Sequence, residues 1–382
     1  MFSEEHLYSI ALRSCKNIGD ANFRKLINAF GSASSVWNAD KRQLTKVYGI
    51  SQGMISEIGS SEHLDFAKRE LDFCEKNNIQ ILLRHSGELP FFLDDCIDAP
   101  AILYKKGAIN ESLIPVSIVG TRNMTAYGKD FIRYFLSITK EMNLLTVSGL
   151  AYGVDSEVHQ QSVENDVPTV AVLAHGLHTL YPSKNKRLSE QILERGGALI
   201  TEFNSSHKPD REHFIQRNRI IAGISRNLIV VETAFGGGSI STATFANGYN
   251  REVYALPGRI TDKYSQGCNH LIYQNKAGTI SSVKTLIDNL GLKVPSEAES
   301  TGELFPQKSV KVQLSGMQKT LYDIIESHHK INLDDLAEKS DLQTYEILPI
   351  LLELEILGHI KSFSGRQFAV DRKSTRLNSS HW

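Results

Sequence analysis

The sequence predicts an α/β protein: a Rossmann-like, mostly parallel sheet core, with an N-terminal helical domain of helix-hairpin-helix type and a C-terminal winged helix. Three observations carry that prediction. Residues 1–75 show helical apolar spacing with few strand signals, residues 78–292 alternate short β-rich runs with helical segments, and residues 311–370 read as three helices and a hairpin.

In the first region, Asn17-Ile18-Gly19-Asp20 and Tyr48-Gly49-Ile50-Ser51 each open a polar turn followed by an apolar-periodic segment. A paired helix-hairpin-helix would present glycine N–H groups to phosphate, whereas an αα-hairpin would only pack, and both readings stand. The strands of the second region are IQILL, PVSIVG, LLTVSG, TVAVLA, ALITEF, NLIVVE and EVYALPG. Their near-continuous apolar character argues for a sheet covered on both faces, with ligands expected outside the carboxyl ends of its strands. Residues 293–310 are polar and proline-punctuated, as in a linker. Helices are then expected over Met317–Ser327, Leu333–Lys339 and Thr344–Leu357. The third would be the DNA-reading helix of a winged helix, yet it carries Glu346, Glu353 and Glu355 with no Lys or Arg, and Pro349 sits beyond its first turn. A protein-contacting or packing role is therefore expected for it.

Composition narrows the function. The 382 residues are 41% hydrophobic with a formal net charge of −1, and no apolar run is long enough to span a membrane. The start MFSEEHLYS has no signal-peptide character, so a cytoplasmic protein is expected. Cys15, Cys74, Cys96 and Cys268 lack metal-ligand spacing, and neither a structural metal nor a cofactor is expected. Charge is segregated: Lys184–Arg226 holds nine Lys/Arg against five Asp/Glu. The tail 371–382 changes composition abruptly, resembles a translated sequencing adapter, and is expected to be non-native.

Glycine-rich clusters follow three of the strands: Gly120-Thr121-Arg122, Ser148-Gly149 leading to Gly153-Val154-Asp155, and Gly236-Gly237-Gly238-Ser239. Glycine lets backbone N–H groups approach phosphate oxygens, and a following helix N-terminus favours anions, so the three together suggest a cradle for linked phosphates. Arg122, Lys184 and the run Arg217-Asn218-Arg219 supply cations near these turns, and guanidinium binds phosphate in bidentate fashion. One arginine of the pair Arg217 and Arg219 could instead be tied to Glu202 or Glu232. Phe214 is either a stacking platform for an unpaired base or a core residue. Asp155 and His159, four residues apart, lie on one helix face and with Glu157 raise the possibility of proton transfer, but no nucleophile or metal set accompanies them.

The strings IVGTRNMTAYG, VSGLAYGVDSEVH, VAVLAHG with YPSKN, FIQRNRIIAGIS, VVET with GGGSISTA, and REVYALPG with GCNHLI resemble the DNA-processing protein A (DprA/Smf) family, in its order, over most of residues 100–275. The resemblance implies a Rossmann-like domain that binds single-stranded DNA as a homodimer. It also implies a mediator, without catalytic turnover, that helps load RecA recombinase onto strands covered by single-strand-binding protein, in natural transformation and recombination. Carried over by position, DNA contacts fall on Gly120, Thr121, Arg122, Ser148, Gly149, Lys184, Phe214, Arg217, Asn218, Arg219, Gly237, Gly238 and Ser239. The sequence departs from the family at Thr121, where serine is usual, at Ala174 for glycine, and at His178 for an acidic residue. The alternatives are a Rossmann-type hydrolase similar to nucleotide phosphoribohydrolases and a winged-helix regulator.

Overall fold

The computed structural model describes residues 2–294 and, further on, 316–328, 331–340, 342–357, 359–363 and 367–370. The expected linker thus lies outside the described residues from 295 onward, as does the tail 371–382. The chain divides into two compact units, Met1–Ala298 and Glu299–Trp382.

The first unit begins with α1 (Glu4–Ser14), α2 (Asp20–Phe30), α3 (Ala33–Trp37), α4 (Lys41–Leu44), α5 (Gln52–Glu57) and α6 (Ser61–Lys76). Serine hydroxyls cap several of them: Ser32 accepts from Ser35 N, Ser51 from Met54 N and Ser60 from Glu62 N. The two glycine turns do join helices, with Asn17 and Gly49 in the left-handed region at φ 64° and 82°. Asp20, however, opens α2 with its own carboxylate, which accepts from Arg13 Nε at 3.1 Å and from Ala101 N at 3.1 Å. Asp20 thus sets a negative charge in the first turn of α2, where a phosphate contact of the first hairpin would have to form.

These helices share a core with the sheet edge. Ile10, Leu12, Phe23, Leu26 and Trp37 pack with Ile79, Ile81, Leu83 and Ile102, each such side chain contributing about 1.5–3 kcal/mol on burial. Helix gives way to strand near residue 78 without a break in packing. That is why the helical region and the sheet form one unit.

The described residues form a nine-stranded sheet from β1 (Ile79–Leu83), β2 (Ile102–Gly107), β3 (Ile114–Val119), β4 (Leu144–Ser148), β5 (Thr169–Val172), β6 (Ala198–Thr201), β7 (Asn227–Val230), β8 (Glu252–Ala255) and β9 (Gly278–Thr279). The order is β1-β2-β6-β5-β4-β3-β7-β8-β9, parallel from β6 to β9, with β1–β2 and β2–β6 antiparallel. Sequence reading misses β2 and β9. ILYKKG carries two lysines and a glycine, and β9 is only a Gly-Thr pair, so neither shows the apolar run of a buried parallel strand.

Helices α7 (Phe91–Asp94), α8 (Ala126–Thr139), α9 (Val154–Glu164), α10 (Lys186–Glu194), α11 (Arg211–Gly223), α12 (Gly238–Gly248), α13 (Gln266–Tyr273) and α14 (Val283–Leu290) complete the unit. From β3 the chain adds strands one way to β6, then returns to place β7 on the other side of β3. This reversal opens a crevice at the carboxyl ends of β3 and β7.

The second unit holds α15 (Met317–Ser327), β10 (Ile331–Asn332), α16 (Leu333–Ser340), α17 (Thr344–Ile356), β11 (Ile360–Phe363) and β12 (Gln367–Val370). Its strands pair antiparallel in the order β10-β12-β11 around Leu321, Ile325, Leu336, Ile347, Leu351 and Leu354. Helix, helix, helix and wing follow the expected sequence. On α17, Tyr345, Leu348 and Leu352 face solvent together with Glu346.

Candidate nucleic-acid interface

The crevice is built from three βα turns that lock onto one another. A Cβ at Gly120 would collide with Val154, and one at Gly153 (φ 78°) with the Thr121 carbonyl. Glycine at these positions lets the first two turns touch backbone to backbone, joined by Val154 N donating to Thr121 O at 3.1 Å. Thr121 N in turn donates to Glu232 O at 2.7 Å, which ties the turn after β3 to the end of β7.

Three helix N-termini meet at this crevice, but they are not equivalent. At α8 the buried Glu232 carboxylate accepts from Thr125 N at 2.9 Å and from the Thr125 hydroxyl, so an internal anion holds the anion position. At α9 the buried Asp155 carboxylate accepts from Ala151 N at 3.4 Å and lies against Arg217. At α12, among the described residues, no carboxylate is hydrogen-bonded at the N-terminus, and its first turn carries no acidic residue. Its first N–H groups, of Gly238 and Ser239, have no intrahelical acceptor, and Gly238 is exposed with open space where a Cβ would stand. The cradle expected to present three helix ends therefore presents one.

The cations divide in the same way. Arg122 is exposed, with its guanidinium carbon 5.2 Å from the Phe214 ring centre. Lys184 is exposed and has no ion pair among the described residues. It sits on a turn anchored by Asn185, whose amide donates to Leu150 O at 2.9 Å and Ser156 Oγ at 2.8 Å. The turn is anchored again where Tyr181 N donates to His175 Nε2 at 3.1 Å.

Arg217, by contrast, is only 3% exposed and donates to Gly149 O at 2.6 Å and to Val172 O. Burial lowers its pKa to about 10 while Asp155 supports its charge. Arg219 is 8% exposed, paired with Glu202 and with Asp20 at 3.4 Å, and it donates to Asp98 O. The Arg219 guanidinium and Nη1 of Arg217 are held by internal partners, while the buried Nε of Arg217 has none among the described residues. The expectation of direct phosphate contact at these two positions is thus corrected to a supporting role, and the Glu202 tether anticipated for one of the pair falls on Arg219.

Ser148 is likewise fully buried, donating to Ile118 O at 2.7 Å. Gly149 is buried too, and a Cβ there would strike the Arg217 guanidinium. Ser239 is buried on the inner side of α12. Direct contact through the Ser148 and Ser239 side chains is corrected in the same sense, since these side chains shape the crevice from beneath. Asn218 is half-buried and donates to Ser241 Oγ at 3.1 Å, joining α11 to the start of α12. Gly237 caps α12 with its backbone, and a Cβ there would meet the Thr233 hydroxyl.

Phe214 is half-buried at the start of α11. Arg122 and Arg217 stand 5.2 and 5.7 Å from its centre, and the exposed Tyr181 meets it edge-on at 5.7 Å. Tyr181 is the residue that sequence reading passed over. An aromatic just before Pro182 and beside Lys184 was its available signal. The proton-transfer candidates do not assemble: Glu157 is paired with Lys129 and Arg133, and His159 Nδ1 bonds the Thr169 hydroxyl at 2.8 Å. Burial pushes the His159 pKa down to about 3, which leaves a neutral ring inside the unit.

Comparison with known proteins defines the class. A family model described as DNA recombination-mediator protein A matches residues 80–291, and one described as the DprA winged helix domain matches 306–366. The fold is that of a recombination-mediator family. The chain belongs to that family, DprA/Smf. Protein Smf of Escherichia coli (strain K12) is 31% identical over 86% of this chain and 88% of its own length. DNA processing protein DprA of Bacillus subtilis (strain 168) is 36% identical over 58% of this chain and 75% of its own. Among solved structures, DprA from Streptococcus pneumoniae superposes with a TM-score of 0.62 at 26% identity, covering 75% of this chain and 98% of that one. DNA processing protein A from Helicobacter pylori, whose structure describes a single-stranded DNA binding mode, gives 0.50 at 25% identity over 56% and 95%. Among the described residues no helix is long and apolar enough to cross a membrane.

Proposed function

We propose that this protein binds single-stranded DNA across the β3/β7 crevice and acts as a recombination mediator in DNA processing during transformation. The single observation that carries the reading is the separation of charges at the crevice. Arg122, Lys184 and the bare N-terminus of α12 face solvent, while the Glu232 and Asp155 carboxylates are buried and hydrogen-bonded to backbone N–H groups. Such a surface attracts a polyanion and offers it several separate cationic points, as linked phosphates require. Phe214, flanked by Tyr181, gives an unpaired base a ring to stack on.

Arg122 lies over that ring in the free protein, so a strand that stacks there meets a guanidinium already positioned for its phosphate. Arg217, Ser148 and Asn218 keep the turns in place. In this reading the protein works without turnover, as a homodimer that hands strands to RecA in the presence of single-strand-binding protein. The family membership supports it.

Fluorescence anisotropy with a labelled thymidine oligonucleotide, repeated across salt, tests the crevice. For single strands the log–log slope falls by about 0.7 per phosphate neutralised, so Arg122→Ala and Lys184→Ala should each flatten it by about that amount. Loss of a charge-assisted hydrogen bond, worth about 1.5–3 kcal/mol, should weaken Arg122→Ala binding by at least about tenfold. Binding that ignores both salt and these substitutions would remove the crevice from the DNA path. Whether RecA is engaged is read separately, by RecA filament growth on strands pre-coated with single-strand-binding protein, which the protein should accelerate.

A further inference from the structure

The helical region of the first unit brings three metal-ligating side chains together from three different helices. Cys15 caps the C-terminus of α1, Glu57 closes α5, and His63 lies in the first turn of α6. Their ligand atoms all lie within 4.8 Å of one another, with His63 Nε2 standing 3.2 Å from Glu57 Oε2. Cysteine spacing along the chain gave no expectation of a metal, and it could not register this group, because the partners of Cys15 come from other helices.

The hydrogen bonds around the triad fix how its atoms are presented. The single proton of the Ser14 hydroxyl is donated to Ala11 O at 2.7 Å. The contact between Ser14 Oγ and His63 Nδ1 at 2.9 Å is then one in which Nδ1–H donates. A neutral ring in this tautomer turns its Nε2 lone pair toward Glu57 Oε2, which also accepts from Lys16 N at 2.5 Å. Two acceptors that face one another call for a cation. A proton would serve the His63–Glu57 pair alone, whereas a metal ion takes that pair and Cys15 together. Zinc bonds of about 2.0–2.1 Å to N and O at a tetrahedral angle put those two atoms about 3.3 Å apart, close to the separation of Nε2 and Oε2.

We propose that Cys15, Glu57 and His63 form a zinc site with three protein ligands. Thiolate, imidazole and carboxylate in one set suit Zn²⁺ and not the hard cations Mg²⁺ and Ca²⁺, which take oxygen. The Ser14 bond to Nδ1 is the outer contact that a ligating histidine ordinarily makes. Ser14, Cys15 and His63 line a cavity of about 550 Å³, and the His63 and Glu57 side chains are 18% and 30% exposed. The ion therefore has an entry path, and its fourth position opens to water. Cys15 is almost fully buried and its thiol donates to Ala11 O at 3.4 Å; ligation by the thiolate releases that proton. The bound ion clasps the end of α1 to α5 and α6. The inference does not rest on the DNA reading.

Titration of the metal-stripped full chain with Co²⁺, followed by displacement with Zn²⁺, tests it. Cobalt reports a thiolate ligand through a charge-transfer band in the near ultraviolet, and tetrahedral geometry through intense visible bands. The expected result is one equivalent bound per chain, loss of both signals on addition of zinc, and a thermal midpoint that rises with zinc. Cys15→Ala should abolish the charge-transfer band. Glu57→Gln and His63→Gln, at partly exposed positions, should each weaken binding by more than about a hundredfold, beyond the loss that removal of an outer contact causes. Three outcomes would overturn the proposal. They are no saturable binding at micromolar metal, a cobalt spectrum without thiolate charge transfer, or wild-type affinity in Glu57→Gln or His63→Gln, which would place the ion on other residues.

Discussion

The sheet crevice and the winged helix are both shaped like nucleic-acid readers, yet they present opposite surfaces. At the crevice the acidic groups are buried against N–H donors and the free groups are cations. On α17, the helix that would enter a groove, the exposed groups include Tyr345, Leu348, Leu352, Glu346 and Glu353, and Pro349 interrupts its hydrogen-bond ladder. The shape of a motif therefore does not settle its partner. What settles it is which charges the packing leaves outside, because a polyanion responds to unpaired surface charge.

The largest break in this comparison is expected from beneath the crevice. Arg217→Met would leave the Gly149 and Val172 carbonyls and the Asp155 carboxylate buried without their donor or counter-ion. Stability should fall by about 3–5 kcal/mol, read as a drop in the denaturant midpoint. Arg122→Ala, at the exposed cation a few ångströms away, should leave that midpoint unchanged. If Arg217→Met proves as stable as the wild type and loses only DNA affinity, Arg217 is a contact residue and the division between the two arginines fails.

Phe214→Leu sharpens the crevice side. It keeps apolar volume but removes the stacking face, and affinity for the thymidine oligonucleotide should drop by about 1–3 kcal/mol with the salt slope unaltered. A changed slope would mean that Phe214 acts only by holding Arg122.

A smaller effect should appear with pH. His159 is held neutral in the folded state down to about pH 3, whereas an unfolded chain takes up that proton near pH 6.5. Between those values the unfolded state binds more protons, so stability declines as pH falls through the window, by up to about 1.4 kcal/mol per unit from this group. Burial lowers His175 and His207 as well and adds in the same sense. Unfolding curves from pH 7 to pH 4 check the slope, and His159→Gln should reduce it.

The smallest effect is expected at the winged helix. Removing residues 310–382 should leave oligonucleotide affinity within about twofold, because α17 offers phosphate nothing cationic. A large loss on truncation would place DNA on the second unit and reverse the comparison.

The seven apolar strands, the helical start and the three helices of the winged helix were legible in the sequence, because periodicity and burial are local signals. So were the positions of the crevice turns, since glycine clusters after strands mark close approach. Strands β2 and β9 were not: β2 lies second from the edge between antiparallel neighbours and its second half, Lys105-Lys106-Gly107, is polar, while β9 is a two-residue edge strand.

The sequence also placed Arg122, Arg217 and Arg219 together as candidate cations, and residue type could take the matter no further. Tertiary structure decided that Arg122 faces solvent while Arg217 lies under Gly149 and Arg219 against Glu202 and Asp20. The physical reason is that a guanidinium's availability depends on its burial and its neighbours. Those neighbours come from strands and helices as far as 199 residues away along the chain. In the same way, three helix ends with similar sequence cues became one open anion site, because Glu232 and Asp155 folded back onto the other two.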